Sequence, residues 1–249
     1  PYREGNMNNQ TIRLGIVGAG GNARDRHVPG FNAIPGVVLA GVCNRSLESG
    51  KRAAKEFGIA RVYENWLELV ESNDIDAICI GTWPYLHCPI TLAALEEGKH
   101  VLTEARMAMN ASEAHAMLET AKANPHLVAQ VVPSPFTMKF DRTIQDLIAD
   151  GFLGELLAIE VQVSQGSFAD KEIPFHWRHN QDLSGYNTLG LGIWYESLLR
   201  WIGPAVKVFA MTKTAVKERF DAEGTLHRIS VPDHVDVLCE MLTGAQAHI

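Results

Sequence analysis

The chain has 249 residues, with 22 lysines and arginines against 29 aspartates and glutamates, so its formal net charge is −7. A negative chain lacks the clustered excess of cations that neutralises phosphates, so we expect no nucleic-acid partner. No apolar run approaches the length that spans a bilayer, and the polar start of the chain lacks the apolar core of a signal peptide. We therefore expect a soluble, cytoplasmic protein without a membrane partner. We interpret Pro1–Asn6 as a remnant of expression or processing that precedes a natural start at Met7.

The first half of the chain alternates short apolar runs with helical patterns. The apolar runs predict strands over residues 11–17, 37–43, 61–63, 77–80, 100–103 and 127–132. Helices are predicted from near Arg24 and over residues 47–57, 66–71, 89–97 and 112–123. Strands that alternate with helices form parallel βαβ units, whose crossovers cover both faces of one sheet. The pattern predicts a doubly wound parallel α/β domain over residues 7–132.

After Pro133 the pattern becomes that of an α+β domain. Helices are predicted over residues 140–149 and 189–201, and strands over residues 156–163, 206–211 and 235–242. Residues 172–185, rich in aromatic, histidine and asparagine residues, predict a loop. We place the domain boundary near residues 131–134 and expect a second domain, 133–249, on a mainly antiparallel sheet. Thr243-Gly244 predicts a hairpin turn that would leave an edge strand unpaired, so we expect this domain to be truncated.

A glycine-rich turn follows the first predicted strand. Residues 18–23 read Gly-Ala-Gly-Gly-Asn-Ala and fit G-x-G-x-x-G/A between a strand and a helix. Gly18 permits the tight turn, Gly20 lets the backbone approach a pyrophosphate, and the small Ala23 lets the helix pack closely on the strand. The phosphates would then lie at the helix N-terminus. The turn predicts a dinucleotide site, with a βα turn that binds no ligand as the alternative.

The end of the second predicted strand indicates which dinucleotide binds. A NAD site usually has Asp or Glu there, and its carboxylate accepts a hydrogen bond from the ribose 2′-OH. This chain instead has Asn44, Arg45 and Ser46. No carboxylate repels a 2′-phosphate, Arg45 can pair with it, and Asn44 and Ser46 can donate hydrogen bonds to it. The pattern favours NADP over NAD. The alternative is a solvated basic helix start, which Lys51 and Arg52 continue.

Seven segments carry further motifs in chain order. They are LGIVGAGGNARDRHVPGF, DIDAICIGTWPYLH, ALEEGKHVLTE, MNASEA, GFLGEL, the pair Trp177-Arg178 and SGYNTLGLGIWYESLLRW. Together they resemble the Gfo/Idh/MocA oxidoreductase family. The resemblance implies a Rossmann domain followed by an α+β domain with a large, mainly antiparallel sheet. It implies a homo-oligomer whose subunits contact each other through the face of this sheet. It also implies NAD(P)-dependent hydride transfer at a secondary alcohol of a sugar or cyclitol, with the nicotinamide between the domains.

The resemblance also implies roles for individual positions. Gly18, Gly20, Gly21 and Asn22 would hold the pyrophosphate, and Glu104 would lie beside the nicotinamide ribose. Further residues would approach the dinucleotide: Thr82, Trp83, Pro84, His87, Trp177 and Arg178. For Trp83 and Trp177 the alternative is core filling, and for His87 it is a helix-start histidine bound to local backbone.

Two segments depart from the family's catalytic motifs. The family's Glu-Lys-Pro is Glu104-Ala105-Arg106 here, so the Lys that lies near the reacting hydroxyl is replaced by Ala105. The family's Asp-x-Gly-x-His aligns with residues 190–194, so its acid/base His is replaced by Trp194. Both usual proton-transfer groups are therefore missing from these positions.

Nearby residues offer substitutes for these groups. His176 and His179 titrate near neutrality, and Tyr186 and Tyr195 flank the altered motif. Arg106 stays protonated, so it can stabilise charge but cannot act as a base. We take Arg106, His176 and Tyr195 as catalytic candidates, with packing or solvent-exposed roles as the alternative.

No metal site is predicted. The spacing of His176 and His179 suits a helix, but the surrounding composition indicates a loop, and no nearby Cys or carboxylate completes a ligand set. The four cysteines form no CxxC pair, which predicts free thiols in a reducing compartment. Asn110 begins a formal glycosylation sequon but favours a helix N-cap.

Taken together, the sequence predicts a NADP-preferring oxidoreductase with a carbohydrate-like substrate, such as a sugar, a polyol or a related small hydroxy compound. One alternative is a dinucleotide-binding sensor that has lost the catalytic Lys and His. Another is that the chain is an incomplete piece of a catalytic protein.

Overall fold

The computed structural model describes residues 11–134, 137–164, 170–186 and 190–249, and the structural statements below concern these residues. The start expected at Met7 and the helix start expected at Leu189 lie outside them. The chain divides into two units, of which the first ends at Val132 and the second begins at Pro133.

The first unit is built on a parallel sheet of six strands. They are β1 (Ile12–Val17), β2 (Val37–Cys43), β3 (Arg61–Val62), β4 (Ala77–Ile80), β5 (His100–Thr103) and β6 (Ala129–Val131). The strands lie in the order β3-β2-β1-β4-β5-β6, and each pairing is parallel. The order reverses between β1 and β4, which is the switch point where doubly wound folds bind ligands.

Helices connect these strands. A π-helical turn (Ala23–His27) leads into α1 (Val28–Asn32), and the other helices are α2 (Leu47–Phe57), α3 (Trp66–Glu71), α4 (His87–Glu96) and α5 (Ala111–Ala123). Three of them begin at a side-chain cap, because Ser46, Asn65 and Asn110 each accept a hydrogen bond from the N–H three residues later. Asn110 is therefore an N-cap, as its sequence context predicts.

The core of the first unit covers both faces of its sheet. Successive residues of β4 alternate between two apolar clusters, with Ile78 and Ile80 in one and Cys79 in the other. All three side chains are at most 1% exposed. Such burial on both faces explains why the strands are continuous apolar runs in the sequence.

The second unit is built on a mixed sheet of four strands in the order β7-β12-β11-β8. Its strands are β7 (Ala158–Glu160), β8 (Ala205–Lys213), β11 (His234–Met241) and β12 (Gln246–His248), and a separate hairpin has β9 (Glu218–Phe220) and β10 (Leu226–Arg228). The helices are α6 (Met138–Ala149), α7 (Gln181–Ser184) and α8 (Leu191–Ile202). Two of the three sheet pairings are antiparallel, and β12 with β7 is parallel. The predicted fold class, a Rossmann sheet followed by an α+β unit, is confirmed.

The second unit differs from the prediction at several elements. The strand expected over residues 156–163 is only Ala158–Glu160, and the loop expected over 172–185 contains a 3₁₀ turn (Trp177–His179) and α7. The strands β9, β10 and β12 were not predicted. β12 follows the turn at Gly244 and pairs with both β11 and β7, so the edge strands of the described sheet are β7 and β8.

Candidate functional site

The glycine-rich turn follows β1 at the carboxyl edge of the parallel sheet. Gly18 has a φ of +86°, and a Cβ there would lie 2.6 Å from the backbone nitrogen of Thr82. A Cβ on Gly81 would lie 2.6 Å from the carbonyl oxygen of Gly18. Glycine at both positions lets the ends of β1 and β4 touch.

No close protein contact explains why residues 20 and 21 are glycines. A Cβ at either position would meet no atom within 4 Å, and neither residue has a positive φ. The space beside this backbone is open, as it is in turns whose N–H groups approach a pyrophosphate. Ala23 is 2% exposed and packs against the sheet, as the motif predicts for its small last residue.

A cavity of about 500 Å³ adjoins the turn at the ends of β1, β2 and β4. Its lining includes Gly20, Asn44, Arg45, Thr82 and Trp83. The Thr82 hydroxyl is buried and has no hydrogen-bond partner among the described residues. A buried polar group without a partner costs about 1–3 kcal/mol, and a hydroxyl or phosphate of a bound dinucleotide would supply that partner. The cavity and the open backbone therefore fit the dinucleotide that the motif predicts.

The polar side chains of Asn44 and Ser46, which follow β2, form hydrogen bonds with neighbouring protein groups. Asn44 accepts from the N–H of Ala19 through Oδ1 at 2.7 Å and donates to the carbonyl of Ser49 through Nδ2 at 3.2 Å. Ser46 caps α2, since its Oγ accepts from the N–H of Ser49 at 3.3 Å and lies 3.1 Å from Ser49 Oγ. These polar atoms therefore fix the turn and the helix start, and the expected hydrogen bonds of Asn44 and Ser46 to a 2′-phosphate stay a prediction.

Arg45 is the cation at this corner of the cavity. Its side chain is exposed, and Cζ lies 5.6 Å from the ring centroid of Trp83, within range of a cation–π contact. Arg52 pairs with Glu48 one turn earlier on α2, and Lys51 is exposed. Arg45 lines the cavity, whereas Lys51 and Arg52 do not.

Glu104 follows β5 and accepts three hydrogen bonds. Its Oε1 accepts from Asn22 Nδ2 and His27 Nε2, and its Oε2 accepts from the N–H of Ala105 at 3.2 Å. Burial alone would raise the pKa of Glu104, but the contacts with His27, Ala105 and Asn22 hold it below its ordinary value. Glu104 is therefore a carboxylate at neutral pH, and it ties down the side chain of Asn22.

His87 lies at the start of α4 and is 1% exposed. Its Nδ1 lies 2.6 Å from the carbonyl of Arg106, and its Nε2 lies 3.0 Å from the carbonyl of Thr82. Burial lowers the pKa of His87, against the opposite effect of these carbonyls and of Glu104. Both ring nitrogens face backbone carbonyls, as the alternative for a helix-start histidine describes, and the expected dinucleotide contact of His87 stays a prediction.

Arg106 is partly buried, and a cis peptide bond joins it to Ala105. Its carbonyl faces His87, so the backbone at this altered motif is held from inside the unit. Ala105 is exposed and has no side-chain group that could transfer a proton.

In the second unit, the 3₁₀ turn carries Trp177 and Arg178, with His176 as its cap. His176 Nδ1 accepts from the N–H of Arg178 at 3.3 Å, and the N–H of His176 donates to His179 Nδ1 at 3.0 Å. Arg178 Cζ lies 4.4 Å from the Trp177 ring centroid. Burial lowers the pKa of His176, and it lowers that of His179 to about 4. Both imidazoles are therefore neutral at pH 7.

Tyr195 lies on α8 and packs against the apolar cluster of the second sheet. Its hydroxyl accepts from the N–H of Ala205 at 2.9 Å and so fixes the start of β8. This contact gives Tyr195 a structural part, and its assignment as a catalytic candidate stays a prediction. Tyr186 is 66% exposed, and Trp194 lies half-buried in the first turn of α8.

Three residues at the carboxyl edge of the first sheet were missed from the sequence. Trp66 and Tyr85 line the cavity, and His27 binds Glu104. An aromatic residue soon after a predicted strand end was a usable signal for Trp66 and Tyr85. No sequence signal pointed to His27, because its contact depends on a π-helical turn.

The described ranges offer neither a metal-binding cluster nor a membrane-spanning helix. Within them, no group of three or more His, Cys, Asp or Glu side chains could hold a metal ion. Over the same residues, no helix is both long enough and apolar enough to cross a membrane. All four cysteines are buried free thiols, and burial raises the pKa of Cys43 to about 11.

Similarity to known proteins identifies the family. The oxidoreductase family with an NAD-binding Rossmann fold (GFO_IDH_MocA) matches residues 12–131, and the GFO/IDH/MocA C-terminal domain matches residues 142–249. The chain belongs to the Gfo/Idh/MocA oxidoreductase family. The resemblance drawn from the sequence motifs is thereby confirmed.

Several members of the Gfo/Idh/MocA family are similar to this chain. A dTDP-3,4-didehydro-2,6-dideoxy-alpha-D-glucose 3-reductase from Streptomyces violaceoruber is 30% identical, over 74% of this chain and 52% of the relative. A levoglucosan dehydrogenase from Pseudarthrobacter phenanthrenivorans is 26% identical, over 94% and 64% respectively. The structure of an oxidoreductase domain protein from Kribbella flavida superposes with a TM-score of 0.84 at 28% identity, over 96% of this chain and 66% of that one. The chain thus spans only about half to two thirds of the length of these proteins.

Proposed function

We propose that this member of the Gfo/Idh/MocA family is a cytoplasmic, NADP-preferring oxidoreductase that acts on a secondary alcohol of a sugar, polyol or related small hydroxy compound. The observation that carries the proposal is the open backbone at Gly20 and Gly21 beside a cavity that holds the buried hydroxyl of Thr82. When bound, the nicotinamide supplies the hydride chemistry, while the protein supplies binding and orientation. Sugar-acting relatives support the substrate class. Four buried free thiols support a reducing compartment.

The site residues take the following parts in this proposal. The backbone from Gly18 to Asn22 holds the pyrophosphate, together with the small Ala23, and the cavity that Thr82 and Trp83 line holds the adenosine. Glu104 binds the ribose on the nicotinamide side. Trp177 and Arg178 are proposed as further dinucleotide-binding residues.

Arg45 carries the proposed preference for NADP. Its guanidinium lines the cavity beside the N-terminus of α2, whose dipole also favours a 2′-phosphate, and no carboxylate is among the described lining residues. We expect Arg45→Ala to weaken NADPH binding by about tenfold or more and to change NADH binding by less than about twofold. Isothermal titration calorimetry with both dinucleotides measures this ratio.

Lys51→Ala is the matched control, because Lys51 is an exposed cation of α2 that does not line the cavity. We expect it to leave both affinities unchanged. If Arg45→Ala leaves the NADPH/NADH ratio at the wild-type value, the assignment of Arg45 to the 2′-phosphate is wrong.

His176 is the proposed proton-transfer group, and Arg106 is proposed to stabilise charge. In the oxidation direction, neutral His176 is proposed to accept the hydroxyl proton and become an imidazolium, which returns the proton in the reduction. Because Nδ1 accepts from the N–H of Arg178 at 3.3 Å, the neutral ring carries its proton on Nε2, so proton uptake uses the lone pair of Nδ1 and releases this contact. We expect His176→Ala and Arg106→Ala to lower kcat by about 100-fold. A panel of polyols and aldoses with NADP, followed by nicotinamide absorbance, provides the measurement.

His115→Ala serves as the control, since His115 is an exposed histidine of α5. We expect it to keep wild-type turnover. Tight NADP binding without turnover on any compound of a broad panel would contradict the enzymatic proposal and indicate a sensor.

The outer face of the second sheet is the proposed contact between copies of the chain. We define it by Phe209, Met211 and Leu238, which are 66%, 63% and 54% exposed. Phe209 and Leu238 are register partners on adjacent strands, so their side chains form one patch. Apolar patches of this kind mark protein contacts, and we propose that a second copy of the chain covers this one.

A further inference from the structure

His27 forms a hydrogen-bonded pair with Glu104 that the proposed function does not yet use. The two side chains are 11% and 14% exposed, and His27 Nε2 meets Glu104 Oε1. The imidazole also stacks on Phe31, with ring centroids 5.9 Å apart and planes inclined by 20°. The His27 ring is therefore fixed on one side by an aromatic face and on the other by a carboxylate.

The π-helical turn makes this pair possible. The N–H of Val28 donates to the carbonyl of Ala23, five residues earlier, which is the hydrogen bond of a π-helix. In an α-helix, two residues five positions apart lie about 140° apart around the axis. The wider turn instead brings Asn22 and His27 onto the same carboxylate oxygen.

Most of the hydrogen-bond acceptor positions of the Glu104 carboxylate are already occupied. A carboxylate accepts about four hydrogen bonds, two at each oxygen. Asn22 and His27 occupy Oε1, and the N–H of Ala105 occupies one position on Oε2. Among the contacts of the described residues, one acceptor position on Oε2 is left, and it suits a hydroxyl donor.

The strand order places this acceptor in one half of the dinucleotide site. A doubly wound fold binds one mononucleotide on each side of its switch point, which lies between β1 and β4 here. The cavity with Arg45 and Asn44 lies at the ends of β1, β2 and β4. Glu104 follows β5, in the other half, where the second ribose of a dinucleotide is expected.

We infer that His27 is a positioning residue for the nicotinamide-side ribose. It holds Glu104 ionised and oriented, so that Oε2 accepts from a ribose hydroxyl, and it does not itself touch the dinucleotide. This inference rests on the proposed dinucleotide binding, and it assigns His27 to one part of the ligand only.

A ladder of three ligands without a 2′-phosphate tests this assignment. ADP carries the adenosine and the pyrophosphate, ADP-ribose adds the second ribose, and NADH adds the nicotinamide. His27→Phe keeps an aromatic ring beside Phe31 but removes the donor, whereas His27→Gln keeps a donor for Glu104 but removes the ring. We expect His27→Phe to weaken ADP-ribose and NADH binding by about tenfold, to leave ADP binding within about twofold, and to be rescued by His27→Gln.

Calorimetric titration of the whole chain, with Glu104→Gln as a second variant, separates the outcomes. Glu104→Gln should show the same selective loss as His27→Phe, and the double variant should lose little more than either single one. An equal loss for ADP, or no loss for ADP-ribose, would overturn the inference. A wild-type chain that binds neither these three ligands nor NADPH would instead overturn the proposed dinucleotide binding.

Discussion

The two units bury their sheets in different ways. In the first unit, β4 is covered on both faces, with Ile78, Cys79 and Ile80 all at most 1% exposed. In the second unit, β11 alternates, since Val237 is 7% exposed and its neighbour Leu238 is 54% exposed. The first unit covers both faces of its sheet, whereas the second leaves apolar side chains exposed on one face. The dinucleotide site is therefore built on the unit whose strand ends are fixed by packing on both sides.

We expect the largest loss of stability when a glycine of that packed sheet edge is substituted. A glycine that faces the proposed ligand should tolerate the same substitution. Gly18→Ala adds a Cβ at a φ of +86°, 2.6 Å from the backbone nitrogen of Thr82. We expect the free energy of unfolding to fall by about 3 kcal/mol or more, since a strained φ and a backbone clash combine. Gly20→Ala, which meets no atom within 4 Å, should keep the wild-type stability and weaken dinucleotide binding. Denaturant unfolding measures both variants, and equal destabilisation would contradict this distinction.

The next effect compares an apolar side chain in the first core with one on the outer face of the second sheet. Leu69 is 0% exposed, so we expect Leu69→Ala to lower the free energy of unfolding by about 3 kcal/mol. Phe209 is 66% exposed, so we expect Phe209→Ser to cost the isolated chain less than about 0.5 kcal/mol but to weaken self-association. Light scattering coupled to size exclusion measures the molar mass. A monomeric wild type, or an oligomer that Phe209→Ser leaves intact, would show that this face is not the contact.

The smallest expected effect concerns a polar cluster between α6 and α8 in the second unit. Asp141 accepts from Trp201 Nε1 at 2.7 Å, from Thr137 Oγ1 at 2.9 Å and from Arg200 Nε at 2.6 Å. Burial alone would raise the pKa of Asp141, but these donors lower it overall. A lowered pKa in the folded state adds stability above the unfolded pKa, and this stability is lost as the pH falls through the folded value.

We therefore expect Asp141→Asn to lower the Tm at pH 7 and the difference from wild type to shrink towards about pH 3. Thermal unfolding at a series of pH values measures this difference. Asp146→Asn is the control, because Asp146 is 65% exposed and lies 4.0 Å from Arg142. A difference for Asp141→Asn that stays constant down to about pH 3 would rule out the carboxylate as its cause.

The fold of the first unit could be predicted closely from the sequence. The predicted bounds of β2, α2, β4 and β5 agree with the structure residue for residue. An uninterrupted apolar run defines β2 and β4, and a Ser46 cap and a left-handed Gly58 define the ends of α2. In the second unit, β9 and β10 are three residues long and lack apolar alternation, and they are stabilised by pairing with each other. Such pairing is a tertiary effect that single-residue preferences do not report.

The candidate site was predictable where its chemistry is local. The glycine-rich turn is one such case, because its sequence motif lies within six residues. The contact of His27 with Glu104 joins residues 77 positions apart and depends on a π-helical turn, so no local pattern indicates it. The partners of Tyr195 and Asn44, which are Ala205 and Ala19, are likewise identified only by the tertiary structure.

The two hydrogen bonds of Asn44 constrain any redesign of coenzyme choice. Asn44→Asp would introduce the carboxylate that NAD sites use and would keep an acceptor for the N–H of Ala19. It would also remove the donor to Ser49 and bring a negative charge to within about 3.2 Å of that carbonyl oxygen. Because Asn44 links the glycine-rich turn to the start of α2, this repulsion would disturb the phosphate-binding backbone as well as the ribose pocket. In the proposed site, coenzyme preference and phosphate binding would therefore be coupled through Asn44, and a redesign would have to vary Asn44, Arg45 and Ser49 together.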